Sequence, residues 1–439
     1  MSGGEVRLGL IGLGTVGSSV VQLLERNADA ITRKVGHSLR FAHVASRSLH
    51  TKPHPNLGKA RTGTDPLAVV QDPYVDIIIE LIGGIEPARS LVLEALKRGK
   101  PVVTANKALL ALHGEEIFAA AEKAGVPIGF EAGVAGGIPI IRTLREGLAA
   151  DRNRALFGIV NGTCNYILTK MSDEGEEFET VLRGAQEQGL AEADPSFDID
   201  GIDAAHKLTL LAMLAFGVRV PFSAVYTEGI RHVSQSDILF AREFGYAIKL
   251  LAIAKDEDGA VDVRVHPTMI PLRSLLAEVG GSYNAIFVQG EALGSSLYFG
   301  RGAGGMPTAT AVLSDVIEVA RNRAVTSGVR VPALGFAWKD LRAAPLRPIA
   351  ELQSEYYLRF MAVDRPGVLA KIAGILGEHN ISIAAVIQRD RGEEDVTVPL
   401  VMRTHFASER NLKAALNLVD QLPIVQGKSV SIRIEENFG

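Results

Sequence analysis

Val6-Arg7-Leu8-Gly9-Leu10-Ile11-Gly12-Leu13-Gly14-Thr15-Val16-Gly17 is the stretch whose reading decides the first third of the chain. Val6–Ile11 is a short, mostly apolar run that reads as a strand. Thr15–Arg26 carries helical spacing. Between them lies a G-x-G-x-x-G, and strand before and helix after is the context that gives this motif meaning. Gly12 allows a tight turn, Gly14 lets the backbone approach a pyrophosphate, and Gly17 lets helix and sheet pack closely. The helix N-terminus offers unbonded N–H groups to phosphates. Leu13, Thr15 and Val16 fill the same loop, so the whole run is assigned to a dinucleotide. A ligand-free glycine-rich turn is the weaker reading, because strand, glycines and helix agree.

The alternation continues outward. Phe41–Ala45, Val75–Leu81, Pro101–Thr104 and Val126–Phe130 read as strands, with helical stretches at Pro87–Lys97 and Ala108–Lys123. Alternating elements with apolar strands predict an α/β class, doubly wound parallel Rossmann sheet over residues 1–145, completed by part of 305–330. NAD readers place an acid at the end of the second strand. Ala45-Ser46-Arg47 stands there instead, and a hydroxyl with a guanidinium suits a 2′-phosphate. NADP(H) is therefore favoured over NAD(H), with a solvated surface arginine as the competing reading.

Residues 146–325 are less regular. Glu179–Gln188, Asp203–Phe216 and Pro307–Asn322 look helical; Val261–Val265, Ala285–Gln289 and Leu297–Gly300 look like strands. An α+β domain of mixed topology is expected. Residues 326–352, with Pro332, Pro345 and Pro348 and no period, read as a linker. Residues 353–439 give Tyr356–Val363, Pro366–His379, Ile381–Arg389, Val396–Arg403, Ala407–Val419 and Val425–Ile434. That order is βαββαβ, a ferredoxin-like split, with Pro366 in the first helical turn.

Composition narrows the function classes. Lysine and arginine total 46 against 50 acids, a net charge of −4, which excludes a generally basic nucleic-acid binder. One cysteine excludes an internal disulfide. Leu208–Val218 is too short to span a bilayer, which takes ~20 residues. Without a signal-like start, a cytoplasmic protein with no membrane or nucleic-acid partner is expected.

Gly189–Lys207 concentrates chemistry. It holds Glu192, Asp194, Asp198, Asp200 and Asp203, then Lys207 four residues after Asp203 on an apolar helix, where the two share a face. From the residues alone this reads as a helix-surface ion pair, with the clustered acids serving equally as caps and turns. A calcium loop is the weaker reading, because the EF-hand spacing and its closing glutamate are absent.

These residues, with Gly12–Gly17, Thr104-Ala105-Asn106-Lys107, Glu131–Pro139, Asn161-Gly162-Thr163 and the tail, carry a resemblance over nearly the whole chain. The sequence resembles homoserine dehydrogenase, in the monofunctional form with a C-terminal ACT domain. The Glu192–Lys207 block is the most specific part. The resemblance implies reversible NAD(P)H-dependent reduction of L-aspartate 4-semialdehyde to L-homoserine, in threonine, methionine and isoleucine biosynthesis. It implies Lys207 as general acid/base, Asp203 as its orienting partner, and Lys107 and Thr104 beside the nicotinamide. Glu192, Asp198, Thr163 and Gly162 would hold the substrate. The resemblance makes residues 146–325 the substrate-binding, catalytic and dimerisation domain. Backbone carbonyls of Glu131, Val134, Gly136 and Ile138 would bind sodium or potassium. Gly302 and Gly304, in Gly300–Gly305, would return to the cofactor.

The tail resembles an ACT domain, with Asp364-Arg365-Pro366-Gly367 and later Asn380. This implies a regulatory site for an amino acid such as threonine, and pairing of sheet edges in a homodimer or homotetramer. Two rival classes stand beside the enzyme reading. One is an acylating aspartate-semialdehyde-type dehydrogenase using Cys164; the other is a non-catalytic amino-acid sensor. No kinase-like segment precedes Gly12, so a bifunctional chain is not expected.

Overall fold

A computed structural model describes residues 4–49, 51, 53–257, 259–324, 329–388 and 397–438. In chain order its first elements are β1 (Glu5–Ile11), α1 (Thr15–Arg26), α2 (Ala28–Val35), β2 (Ser38–Ala45), β3 (Arg61–Gly63), α3 (Pro66–Gln71), β4 (Ile77–Glu80), α4 (Ala88–Lys97), β5 (Val102–Thr104), α5 (Lys107–Ala124) and β6 (Ile128–Gly129). Then come α6 (Ile140–Arg142), β7 (Asn153–Ile159), α7 (Gly162–Glu174), α8 (Phe178–Glu187), α9 (Ser196–Ile199), α10 (Ile202–Phe216), β8 (Tyr226–Thr227), α11 (Gln235–Glu243), β9 (Tyr246–Glu257) and β10 (Ala260–Pro271). The last are β11 (Tyr283–Gly290), β12 (Gly294–Arg301), α12 (Gly305–Ala324), β13 (Gln353–Val363), α13 (Val368–Glu378), β14 (Ile383–Gln388), β15 (Thr397–Thr404), β16 (Ala407–Ser408), α14 (Glu409–Val419) and β17 (Val430–Ile434).

The chain forms two compact units. The first takes Met1–Gly162, Asp203–Val225 and Tyr283–Ala344; the second takes Thr163–Ile202, Tyr226–Ser282 and Pro345–Gly439. Residues 146–325 thus contribute to both.

In the first unit six parallel strands run in the order β3-β2-β1-β4-β5-β6. The order reverses between β1 and β4, and in such sheets ligands collect at the carboxyl ends of those strands. The central strands β4 and β5 are buried along their whole length, which is why they read as unbroken apolar runs rather than alternating ones. On one face Val20, Val21 and Leu24 of α1 share a core with Val312, Val316 and Val319 of α12. Each such side chain contributes roughly 1.5–3 kcal/mol by leaving water. A helix from far along the chain therefore closes the nucleotide sheet. An antiparallel trio, β7-β11-β12, completes the unit.

In the second unit β9 and β10 form a long antiparallel pair. The tail sheet runs β17-β13-β15-β14, all antiparallel, with α13 and α14 packed on it through Ile372, Leu376, Leu412 and Ala415. This is the expected split βαββαβ. Two details differ from the sequence reading. Helix α13 starts at Val368, after Gly367 in a left-handed conformation (φ 87°), so Pro366 precedes the helix instead of opening it. The β17 edge is not open: Thr268 and Met269 of β10 pair with Arg433 and Ile434. Strand calls reaching Arg389 and Val396 end outside the described residues.

Residues 329–352 have no period, but backbone bonds hold them. Arg342 exchanges hydrogen bonds with Gly217 and Arg219 in the first unit, and Pro345 and Arg347 both bond to Val261 in the second. Among the described residues, no helix is long and apolar enough to cross a membrane.

Candidate active site

The glycine motif sits where β1 ends. Gly12 has φ 103°, and a Cβ there would fall 2.6 Å from the Leu81 carbonyl. A Cβ on Gly17 would fall 2.1 Å from the Gly12 carbonyl, so helix and turn are in backbone contact. Gly14 and Thr15 face solvent at the start of α1, whose N-cap has no side-chain hydrogen bond. Nothing lies within 4 Å of where a Gly14 Cβ would stand, so the backbone there is open to the approach of a phosphate. The residues fit a dinucleotide. Ser46 and Arg47 directly follow β2; Ser46 is buried, with its hydroxyl 3.0 Å from that of Ser48, and Arg47 is exposed.

The neighbouring strand ends carry a polar device that the sequence reading passed over. Glu80, the last residue of β4, is fully buried. It accepts bonds from Ile82 N–H, Gly83 N–H and the Thr104 hydroxyl, the last at 2.6 Å. Burial raises its carboxyl above the ordinary range against those bonds. Thr104 is thereby committed to Glu80 and to Asn106 N–H. Asn106 caps α5 by accepting from Leu109 N–H. A lone acid ending an apolar strand was the available signal.

The cap places Lys107 in the first turn of α5, and its ammonium lies 3.0 Å from Asp203 Oδ1. Lys207 donates to Asp203 Oδ2 at 2.6 Å and to the Val160 carbonyl at 2.6 Å. Asn161 donates to the same Asp203 oxygen at 2.9 Å. Two cations and an amide thus converge on one carboxylate that is 3% exposed. Burial alone would raise its pKa. The charges of Lys207 and Lys107, with the hydrogen bonds, outweigh it and hold the carboxyl well below its usual range. The surface-pair reading of Asp203 and Lys207 fails because α10 is buried on every side. His206 stacks on Phe222, and burial lowers its pKa to about 4, so it is neutral at pH 7. Asn161 was quoted in its motif without a role; nothing in its residue type marks it apart from the fold.

Within the second unit, Thr163 donates to Asp198 Oδ2 at 3.3 Å and to the Leu190 carbonyl at 3.0 Å. Gly162 opens α7 and Glu192 lies on the surface. Cys164 is fully buried, its thiol donating to the Asp198 carbonyl at 3.2 Å. An inaccessible thiol is a poor nucleophile, which removes the acylating rival.

Apart from exposed Gly137, the loop Glu131–Ile138 is buried in the first unit. The Glu131 carboxylate accepts Ile141 and Arg142 N–H at 2.8 and 2.9 Å, so it is spent on the start of α6. Ala135 and Gly136 both have φ 53°, which bends the loop sharply. Val134, Gly136 and Ile138 are buried in it. Asp315 of α12 accepts Glu131 N–H at 2.8 Å. Burial and the Glu131 charge push its carboxyl up to about 7. Gly302 packs against Gly136, and Gly304 has φ 116° just before α12. Among the described residues no cluster of three His, Cys, Asp or Glu side chains forms a metal site. What the loop would offer a cation is backbone carbonyl oxygen, a ligand type that suits hard ions.

Three profiles match the chain: "Homoserine dehydrogenase, NAD binding domain" over residues 12–131, "Homoserine dehydrogenase" over 139–317, and "ACT domain" over 356–424. Homoserine dehydrogenase of Pseudomonas aeruginosa is 46% identical over 436 residues, covering 98% of this chain and 99% of that one. The chain belongs to the homoserine dehydrogenase family. The Bacillus subtilis member is 39% identical over 433 residues, 98% of this chain and 99% of that one. A solved homoserine dehydrogenase from Thiobacillus denitrificans matches with a TM-score of 0.92 at 47% identity, over 99% of each chain. The protein is accordingly an NAD(P)-dependent oxidoreductase acting on a CH–OH group.

In the ACT segment Asp364–Gly367 lines a cavity of about 230 Å³ together with Val368, Gln388 and Leu400. Gln388 donates to Asp364 at 3.1 Å. Asn380 (φ 56°) follows the far end of α13 and is not in that lining. Eleven helical residues, roughly 16 Å, separate it from Gly367.

Proposed function

We propose that Lys207 is the proton donor and acceptor in the interconversion of L-aspartate 4-semialdehyde and L-homoserine. The observation that carries this is the Lys207 ammonium fixed by Asp203 and the Val160 carbonyl at 2.6 Å each. A nicotinamide, when bound, would supply the hydride chemistry at the carbonyl carbon. Lys207 gives its proton to the oxygen as the C=O becomes C–O–H, and takes it back in the oxidation direction. Asp203 orients the ammonium, and Lys107 adds positive charge where an alkoxide develops. Glu192 and Asp198 hold the substrate ammonium by charge-assisted bonds, with Thr163 and Gly162 beside them.

NADP(H) is the favoured cofactor. Gly12–Gly17 takes the pyrophosphate, Ser46 and Arg47 the 2′-phosphate, and Thr104, Lys107, Gly302 and Gly304 flank the nicotinamide half. Carbonyls of Glu131, Val134, Gly136 and Ile138 hold sodium or potassium. Threonine binds at Asp364–Gly367 and lowers activity, in a cytoplasmic homodimer or homotetramer serving threonine, methionine and isoleucine biosynthesis.

Lys207→Ala tests the central role. Turnover falls by about 10²–10⁴-fold, while NADPH fluorescence still reports binding. Near-wild-type turnover removes Lys207 from the mechanism. Tighter binding of NADH than of NADPH refutes the cofactor preference.

A further inference from the structure

Asn284 on β11 is 1% exposed, and neither its amide oxygen nor its amide nitrogen has a hydrogen-bond partner. Buried polar atoms in native proteins are nearly always satisfied, and an orphan marks strain or a site for an ion or water. Its surroundings say which. Asn284 pairs across the ladder with Gly300. Residues directly opposite in an antiparallel pair present the same face. On that face sits the loop after Ala135. A Cβ on Gly300 would lie 3.1 Å from Ile138 Cγ1, and one on Gly136 would lie 2.4 Å from the Gly302 carbonyl. Gly137 N–H donates to the Arg301 carbonyl at 3.0 Å. Gly302 closes over the amide itself: a Cβ there would fall 2.0 Å from the Asn284 amide carbon. Backbone-to-backbone contact thus brings the loop bearing Gly136 and Ile138 against the strand pair that carries the orphaned amide.

An uncharged amide oxygen is the ligand type that hard cations accept alongside backbone carbonyls. We propose that Asn284 belongs to the monovalent-cation site, its amide oxygen adding a side-chain ligand, direct or through one coordinated water, to the loop carbonyls. The assignment rests on the cation reading of Glu131–Ile138. It also predicts an unusual stability pattern. Without cation, the amide is an unsatisfied group whose removal costs little; with cation, its removal costs affinity.

The test is thermal unfolding of the full chain in choline, sodium and potassium chloride at equal ionic strength, for wild type, Asn284→Ala and Asn284→Asp. Wild type melts higher in sodium or potassium than in choline, because a ligand that binds only the folded state stabilises it. In Asn284→Ala the cation concentration for half of that rise increases at least about 10-fold, while the midpoint in choline stays near wild type. In Asn284→Asp the rise moves to lower cation concentration. An unchanged cation dependence in Asn284→Ala overturns the assignment, as does an equal loss of stability in all three salts. If wild type itself shows no sodium or potassium effect, the cation reading fails and the assignment falls with it.

Discussion

Asp203 and Asp315 lie in the same unit, each 3% exposed, yet their carboxyl groups move in opposite directions. Around Asp203 stand Lys207, Lys107 and Asn161. Around Asp315 stand the Glu131 N–H, the Glu131 carboxylate and two arginines, Arg142 at 3.6 Å and Arg145 acting through its charge alone. Burial penalises both anions. At Asp203 two lysines in direct contact overcome it; at Asp315 the Glu131 charge adds to it and the arginines do not offset both, so Asp203 is a fixed anion and the Asp315 carboxyl is pushed up to about 7. Burial therefore does not decide what a carboxylate does; the closeness of its cations and donors, set against any neighbouring anion, does. One region is built to hold an ammonium in place, the other to sit beneath a loop of carbonyls.

The largest break in that comparison is Asp203→Asn. It leaves the Lys207 charge buried without its counter-ion, which costs about 3–5 kcal/mol in urea unfolding. Turnover falls by about 10²-fold or more, as Lys207 loses its orientation. The Asp203 contribution has a defined pH sign. Its folded pKa is depressed, so this stability is present above the ordinary value of 3.8 and is lost as pH falls below it.

Lys107→Met is smaller. Lys107 is 30% exposed, so stability changes by less than about 1 kcal/mol. Turnover still drops by roughly 10–10²-fold in steady-state assays if Lys107 supports the developing alkoxide. A loss confined to stability assigns it to the fold alone.

Asp315→Asn sharpens the opposite region. Its folded pKa is raised, so its contribution is full below 3.8 and is lost as pH rises through about 7. In choline buffer the wild type loses stability over that window by at most about 1.4 kcal/mol per pH unit, and the variant flattens the slope. An unchanged slope contradicts the assignment of this titration to Asp315. Smallest of all is Cys164→Ala, which keeps turnover within about twofold and costs roughly 1 kcal/mol of packing. A large loss of turnover revives the nucleophile reading.

Much of this was legible in the chain. The run Val6–Gly17 declared strand, turn and helix together, because each element satisfied its own local rule and all agreed. The Asp203–Lys207 pair was visible as an i, i+4 spacing. Its burial was not, since α10 is largely apolar and gives no amphipathic stripe to tell inside from outside. Glu80, Asn161, Asn284 and Asp315 were missed for a related reason. Their roles come from partners 24 to 184 residues away in sequence, or from a face made by glycines, and no local period encodes either. The pairing of β17 with β10 was hidden likewise: an edge strand looks the same in sequence whether it is open or covered.

The claim that Lys207 moves the proton is tested most directly by chemical rescue. Homoserine oxidation is followed as NADPH formation in wild type and Lys207→Ala, with and without added methylamine. The account predicts a variant that binds NADP normally, is nearly inactive alone, and recovers activity in proportion to amine concentration. A variant that turns over homoserine at the wild-type rate without amine contradicts it.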